Sequence, residues 1–423
     1  MQIDINNIRR HLTEMGAALV PISIPIGMMV KLLTGNLLFG NLCMALGIFL
    51  LFPFRRLREG FRLGLLTGVA VFFIMAFVYY FCSEFSESVY LLYLGVTLCY
   101  ALGLSLLHID EDMRMDKFIR WLWLLSLLCI LSAIYCFTTG KIDLLSGAFG
   151  YSEGGDLLYD GLTMGSTGIT QLVCTFYILS TQKTLKTGHR VLLLLLIIID
   201  FAIVLLAFKR TPLLIALFII IYYLRRLGYL KATPRNMLIL IACITALTAA
   251  VLATPDLRDA VAAIAEDTYE GVVNLVTGTH TGNSLTNSTD IRLEARQTAL
   301  GYLSTYDMLE RVIGGGFMTF WFDMPLLQAY LDMGIIGVLL YGFYTVYLPF
   351  KMICSKMRHN DMLCCLGMLS IYGAICCLTS GHPYSHTQWI PVCILCFALN
   401  NRSSLTPPSA CTCTAEDALT HES

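Results

Sequence analysis

The chain is expected to be an all-α, polytopic integral membrane protein, with about twelve transmembrane helices and one long external loop. The grounds are long apolar runs, scarce charge, and a sided distribution of the charge that remains. Of 423 residues, 57% are hydrophobic and 13% charged, with a mean hydropathy of +0.71. Soluble domains carry about 25% charged residues, so a water-soluble fold is excluded. A crossing needs about 20 apolar residues, fewer where the bilayer thins. Twelve stretches qualify: 16–33, 35–54, 63–82, 88–107, 118–138, 161–181, 191–208, 211–224, 236–254, 326–350, 361–380 and 388–400. The eighth and twelfth are short, which suits tilted or partly re-entrant helices.

Arginine and lysine set the orientation, because basic loops stay inside. With the N-terminus inside, the internal segments hold Arg9 and Arg10, then Arg55 to Arg62, Arg114 to Arg120, Lys183 to Arg190, Arg225 to Arg235, Lys351 to Arg358, and Arg402. The external segments hold only Lys31, Lys141, Lys209, Arg210, Arg258, Arg292, Arg296 and Arg311. Both termini are therefore expected in the cytoplasm. No cleavable signal is apparent, and the first span is expected to serve as an anchor.

Residues 1–254 then carry nine spans, 255–323 an external loop with short helices, and 324–400 the last three spans. Residues 401–423, rich in Ser, Thr and Pro, read as a disordered cytoplasmic tail. The loop holds ten acids against four arginines and no lysine. Pro255–Gly271 reads as a surface helix and Gly278–Thr289 as a polar connector. A helix N-capped at Thr289 or Asp290 is expected to run to about Leu309. On it Arg292 and Arg296 share a face at i,i+4. Gly314-Gly315-Gly316 and an aromatic stretch, Phe317–Phe322, follow.

Most of the sixteen cysteines fall in apolar spans, where Cys behaves as a small hydrophobe. No metal and no cofactor are expected. There is no phosphate-binding loop, dinucleotide fingerprint, HExxH or serine elbow. The lipid bilayer is the one partner composition dictates, and no nucleic-acid partner is expected.

The chemistry-bearing candidates are few. Lys209 and Arg210 sit in a turn between two very apolar spans, on the side where cations are least expected. They either snorkel at a span end or meet an anion, and arginine forks beside a helix start suit phosphate oxygens. Arg292 and Arg296 are either a solvated face paired with Glu294 or Asp290, or a second cationic contact for a pyrophosphate. Asp200, in the middle of VLLLLLIIIDFAIVLLAF, is functional by default as an intramembrane carboxylate, or is protonated and bonded to a neighbouring helix. Asp332 is similar but nearer the external face. His382 and His386, in the loop before the last span, are either interfacial residues or an acid/base group.

Three of these features together resemble the O-antigen polymerase/ligase superfamily: Wzy-type polymerases and O-antigen ligases. The turn Lys209-Arg210-Thr211 is similar to the family's Ser-Arg-Gly/Thr turn. The long loop lies between the ninth and tenth spans, with Arg292 upstream of a glycine triplet. Gly314-Gly315-Gly316 and then Asp323-Met-Pro-Leu-Leu-Gln-Ala-Tyr-Leu-Asp332-Met-Gly334-Ile-Ile-Gly337 resemble Gly-x-Gly, a gap, and His-Asn-x-x-Leu-Gln-x-x-x-Glu-x-Gly-x-x-Gly. The match covers roughly residues 190–350. Asp323 stands where ligases place a catalytic histidine, which puts a polymerase ahead of a ligase.

The resemblance implies a glycosyltransferase of the bacterial cytoplasmic membrane. Its donor would be an undecaprenyl-diphosphate-linked oligosaccharide, and a chain-length regulator protein is an implied partner. Arg210 and Arg292 would hold the diphosphate, with Lys209 and Arg296 as outer partners. Asp323 would be the general base, and His382, His386 and Asp200 further substrate contacts. A lipid-linked oligosaccharide flippase is the rival from another class. Transporters commonly show repeated halves, and residues 1–210 and 211–423 show no such likeness.

Overall fold

The computed structural model describes residues 5–34, 38–84, 87–139, 161–182, 186–207, 210–228, 297–318, 320, 322, 324–355, 360–377 and 381–401, with isolated positions between 245 and 269. Among these residues there is no strand. The helices are α1 (Ile5–Thr34), α2 (Leu38–Leu51), α3 (Leu66–Cys82), α4 (Ser88–Ser105), α5 (Met115–Thr138), α6 (Gly161–Thr181), α7 (Thr187–Leu206) and α8 (Arg210–Arg226). They continue with α9 (Met308–Ile313), α10 (Pro325–Tyr341), α11 (Leu348–Cys354), α12 (Asp361–Cys376) and α13 (His386–Asn400). Residues 297–305 are also helical.

Five helical stretches are long and apolar enough to cross a membrane: Asn6–Lys31, Ser88–Ser105, Met115–Cys136, Thr187–Leu205 and Pro325–Cys354. Leu38–Leu51, Leu66–Cys82 and Asp361–Cys376 are apolar but shorter. A helical membrane protein fits this architecture. Helices occupy the positions of eleven expected spans; the ninth, 236–254, most of the loop 255–323, and residues 402–423 lie outside the described residues. On α7 the apolar side chains Leu192, Leu195 and Ile198 face outward, as a lipid-facing helix requires.

Of the boundaries that differ from the sequence reading, two have a local reason. Helix α1 starts at Ile5 rather than residue 16, because its polar first turns are anchored: Arg10 Nε donates to the Glu111 carbonyl at 3.1 Å, and Glu14 accepts the Arg114 N–H at 3.1 Å. The helix expected to reach Leu309 breaks at Tyr306 and Asp307, and α9 begins anew. Asp307 accepts the Glu310 N–H at 2.7 Å while Glu310 accepts the Asp307 N–H at 2.9 Å, a closed capping box.

Helix α1 also contains Pro21 and Pro25. Proline has no N–H, so Pro21 leaves the carbonyl four residues back, on Ala17, without its helical donor. The buried Tyr100 hydroxyl of α4 donates to that carbonyl at 2.8 Å. A neighbouring helix thus restores what the proline removes, as apolar surroundings demand. Helices α1 and α2 then pack through Gly27 against Gly40, backbone to backbone.

The segments assigned to one side by the basic-loop rule gather at one end of the bundle. There Arg56 bonds Glu59 at 3.1 Å, Glu111 at 2.7 Å and Asp112 at 2.8 Å. Arg226 pairs with Asp361, and Asn400 brackets the 63–65 backbone by accepting from Leu65 N–H and donating to the Leu63 carbonyl. His108, Glu111 and Asp112 lie close enough to share an ion, but Arg56 already bonds both acids. In the core, Trp389 packs against Phe72 and Phe73, and its Nε1–H donates to the Pro383 carbonyl at 2.6 Å. A π-helical turn, Gly342–Tyr347, lets Tyr344 lie over Gly68 and donate to the Leu65 carbonyl at 2.7 Å.

Candidate functional site

The opposite end of the bundle is organised around a break in α10. Gly334 has φ 62° and ψ −154°, so the helix stops and restarts there. Such a break strips the carbonyls just before it of their helical donors. Donors arrive from the glycine triplet instead. Gly315 N–H donates to the Leu331 carbonyl at 2.8 Å, Gly316 N–H to the Asp332 carbonyl at 3.2 Å, and the Tyr306 hydroxyl to Leu331 at 3.0 Å. The two backbones touch, which explains the residue type on both. A Cβ on Gly314, at φ 88°, would collide with the Asp332 carbonyl, and one on Gly334 with the Val312 backbone.

The side chains at this crossing form one network. Gln328 and Asp332 lie one turn apart on α10. The fully buried Asp332 carboxylate accepts from Met318 N–H at 3.1 Å and Gln328 Nε2 at 2.7 Å on one oxygen, and from the Tyr384 hydroxyl at 2.6 Å on the other. Gln328 Oε1 accepts the Phe322 N–H at 2.8 Å, and its own N–H donates to the Met324 carbonyl at 2.9 Å. Leu326 N–H reaches the Cys377 carbonyl at 3.0 Å, and Tyr79 of α3 donates to the Ile313 carbonyl at 2.6 Å. Three separate chain segments are thereby locked to α10.

An aromatic wall flanks the network. Phe317 stacks on Tyr384 at 4.5 Å, and Tyr80 meets the Phe317 edge at 5.3 Å. On α4, Tyr93 lies 4.6 Å from the His386 ring and 6.0 Å, stacked, from His382, while Tyr90 approaches His382 at 5.0 Å. His386 is the first residue of α13 and is 2% exposed, so it is a packed side chain rather than an interfacial loop residue. Burial pulls the His382 pKa down from 6.5 to about 4, which keeps that ring neutral at pH 7.

The structure therefore brings His382 and His386 together. Asp200 is buried elsewhere, on α7, with the Thr175 hydroxyl of α6 at 3.4 Å, and none of its hydrogen bonds reaches the histidines. Arg210 is described only as the first residue of α8. Lys209, Arg292, Arg296 and Asp323 lie outside the described residues. Asp323 is bracketed, however: Phe322 before it and Met324 after it are both held by Gln328. Sequence reasoning noted Asp332, and Gln328 only as a position of the resemblance, but gave no role to Gln328, Tyr384 or the wall residues Tyr90 and Tyr93. The spacing of Gln328 and Asp332 at i,i+4 was the available signal for their pairing. Among the described residues all thirteen cysteines are free thiols.

Neither the protein-family models nor the curated proteins compared with this chain gave a match. The arrangement must be read on its own chemistry. Asp332 and Gln328 are buried, with no open face to a ligand; they are positioning residues that fix Met318, Phe322, Met324 and Tyr384.

Proposed function

We propose that the protein is a polysaccharide polymerase of the bacterial cytoplasmic membrane. It transfers a polyprenyl-diphosphate-linked glycan onto another lipid-linked repeat unit at the external face. The reading includes twelve spans, cytoplasmic termini, and the 255–323 loop acting as lid and acceptor platform. One observation supports it most. The residues that resemble the polymerase/ligase pattern — Gly314 to Gly316, Gln328, Asp332 and Gly334 — are those whose backbone and side chains interlock at one end of the bundle. Their spacing has a physical purpose there: it holds Phe322 and Met324, the residues on either side of Asp323 in sequence.

In the proposed reaction Asp323 removes the proton from an acceptor hydroxyl. That oxygen bonds to the anomeric carbon of the donor as the bond from that carbon to the diphosphate breaks. The charge left on the polyprenyl diphosphate is met by Arg210 and Arg292, with Lys209 and Arg296 outside them. Such a preorganised cation contributes about 3 kcal/mol to the transition state.

The test is conversion of a lipid-linked repeat into longer chains by the purified protein. Arg210→Ala is expected to abolish product while the protein still inserts, and Arg210→Lys to restore only part, since lysine cannot bind phosphate bidentately. Asp323→Asn should be inactive and His386→Gln nearly normal. Wild-type product from Arg210→Ala overturns the reading, and a deletion strain with polymer stranded on its lipid carrier would assign a ligase instead.

A further inference from the structure

Asp200 and Asp332 are both fully buried, yet their surroundings differ. Asp332 accepts three hydrogen bonds. Asp200 has a single long one, 3.4 Å from the Thr175 hydroxyl, and its Oδ1 has no partner. Even that bond is shared, because the Thr175 hydroxyl lies 2.8 Å from the Gln171 carbonyl while accepting from Trp123 Nε1 at 3.1 Å. No ion pair reaches Asp200 among the described residues. An ionised carboxylate so placed is costly, and neutralisation is the ordinary remedy.

A second orphan lies on α6, one turn from Thr175. The buried Gln171 Nε2 has no partner, although Gln171 Oε1 accepts from the Ser126 hydroxyl. One turn along the same three helices sits a cavity whose lining includes Cys129, Met164, Thr167 and Ile203. The lining is otherwise apolar and carries no charge, so a hydrated metal ion would lose its shell there. A proton on a carboxyl leaves a neutral group.

We propose that Asp200, Gln171 and Ser126 form a proton-binding site inside the bundle, reached from the cavity beside Ile203. Proton uptake makes one bond, Oδ1–H, and releases nothing. The neutral acid then donates to the Gln171 amide oxygen, directly or through one water, and the amide turns over. Its Nε2 donates to Ser126 Oγ, while the Ser126 proton goes to the Leu122 carbonyl, already 2.8 Å away. Both orphans are satisfied in that state. Among the described residues the titratable group facing Asp200 is the Cys174 thiol on α6; Cys129 on α5 lines the cavity, and Tyr223 of α8 stacks on Phe176. Charged residues of the packed helices stand at their ends: Asp116, Lys117 and Arg120 on α5, His189 and Arg190 on α7, and Arg210, Arg225 and Arg226 on α8. This site is independent of the glycosyl-transfer reading.

The test is infrared difference spectroscopy of the full-length protein in nanodiscs during a pH step. A carboxylic-acid carbonyl band is expected in wild type and lost in Asp200→Asn. Gln171→Leu, which keeps Asp200, should shift that band by removing its acceptor, and Ser126→Ala should shift it less. A band unchanged in Asp200→Asn overturns the site, and one unmoved by Gln171→Leu overturns the amide exchange. Should Asp200→Asn fail to fold, the Gln171→Leu and Ser126→Ala shifts decide the matter. A sodium-dependent signal lost with Asp200 would replace the proton by a metal ion and overturn the proposal.

Discussion

At Asp332 donors from three segments converge on one carboxylate, so the substitution that hurts is the one that removes acceptors, not charge. Asparagine keeps one oxygen for Met318 and Gln328 and can donate to the Tyr384 oxygen, leaving chiefly the Tyr384 proton without a partner. Asp332→Asn is expected to cost about 1–3 kcal/mol, for the one stranded donor. Asp332→Leu strands all three donors, each worth about 1–3 kcal/mol when buried and unpaired, and should melt at a clearly lower temperature in detergent. Equal melting of the two variants would show that the donors find other acceptors. His382 gives a pH test. Its folded pKa of about 4 lies below the ordinary 6.5, so between those values the unfolded chain binds the proton and the native state does not. Both forms are neutral above pH 6.5, and stability is lost as pH falls towards 4, by at most about 3 kcal/mol. His382→Phe, which keeps a ring against Tyr93, should flatten that part of the melting profile relative to wild type. A parallel decline in both proteins would show that the ring protonates without cost.

The element that ties sequence to site is the crossing of the glycine triplet with the α10 break, and the glycines there are not equivalent. Gly314 and Gly334 have positive φ and face backbone, so alanine at either is strained by about 1–3 kcal/mol and also collides with an atom that cannot turn away. At Gly315 the neighbour is the far end of Tyr306, which can swing aside for the loss of one hydrogen bond, about 1 kcal/mol. Gly314→Ala and Gly334→Ala are expected to reduce the yield of folded protein sharply, and Gly315→Ala only slightly, by size-exclusion profile after extraction. A monodisperse Gly334→Ala would mean that the break is not required. Most helices were legible in the sequence because apolar runs leave little choice of structure. The capping box at Asp307 was also there to be read, as an Asp followed three residues later by Glu, but an expected continuous helix overrode it. The α10 break was not legible. Glycine is common inside membrane helices, and only the approach of a second backbone decides that Gly334 leaves the helical region. Gln388 was hidden likewise, since its bond from the Tyr341 hydroxyl at 2.7 Å joins residues far apart in sequence.

At the scale of the whole molecule, the ion pairs of Arg56 and Arg226 lie at one end of the described bundle, and the aromatic and glycine-rich crossing at the other. The proposed topology makes these the cytoplasmic and external ends. Single cysteines at Asn283 and Ser385, in a background lacking the native thiols, should react with an impermeant reagent added to intact cells, and one at Thr187 should not. Labelling at Thr187 would overturn the orientation and every site assigned from it. The order in which the chain is made adds a constraint of its own. Asp332 can acquire its Tyr384 bond only after residue 384 has left the ribosome, and Pro383 the Trp389 bond that fixes the loop only once part of α13 has followed. At about 5–20 residues per second, the nascent chain spends several seconds with the Asp332 acceptor incomplete in an apolar setting. Completion is therefore a late, post-insertion event, and α13 acts as a closing key for a site begun hundreds of residues earlier at Tyr79. A nonsense mutation before Tyr384 would remove the key while sparing most spans, leaving the Asp332 carboxylate without its Tyr384 donor.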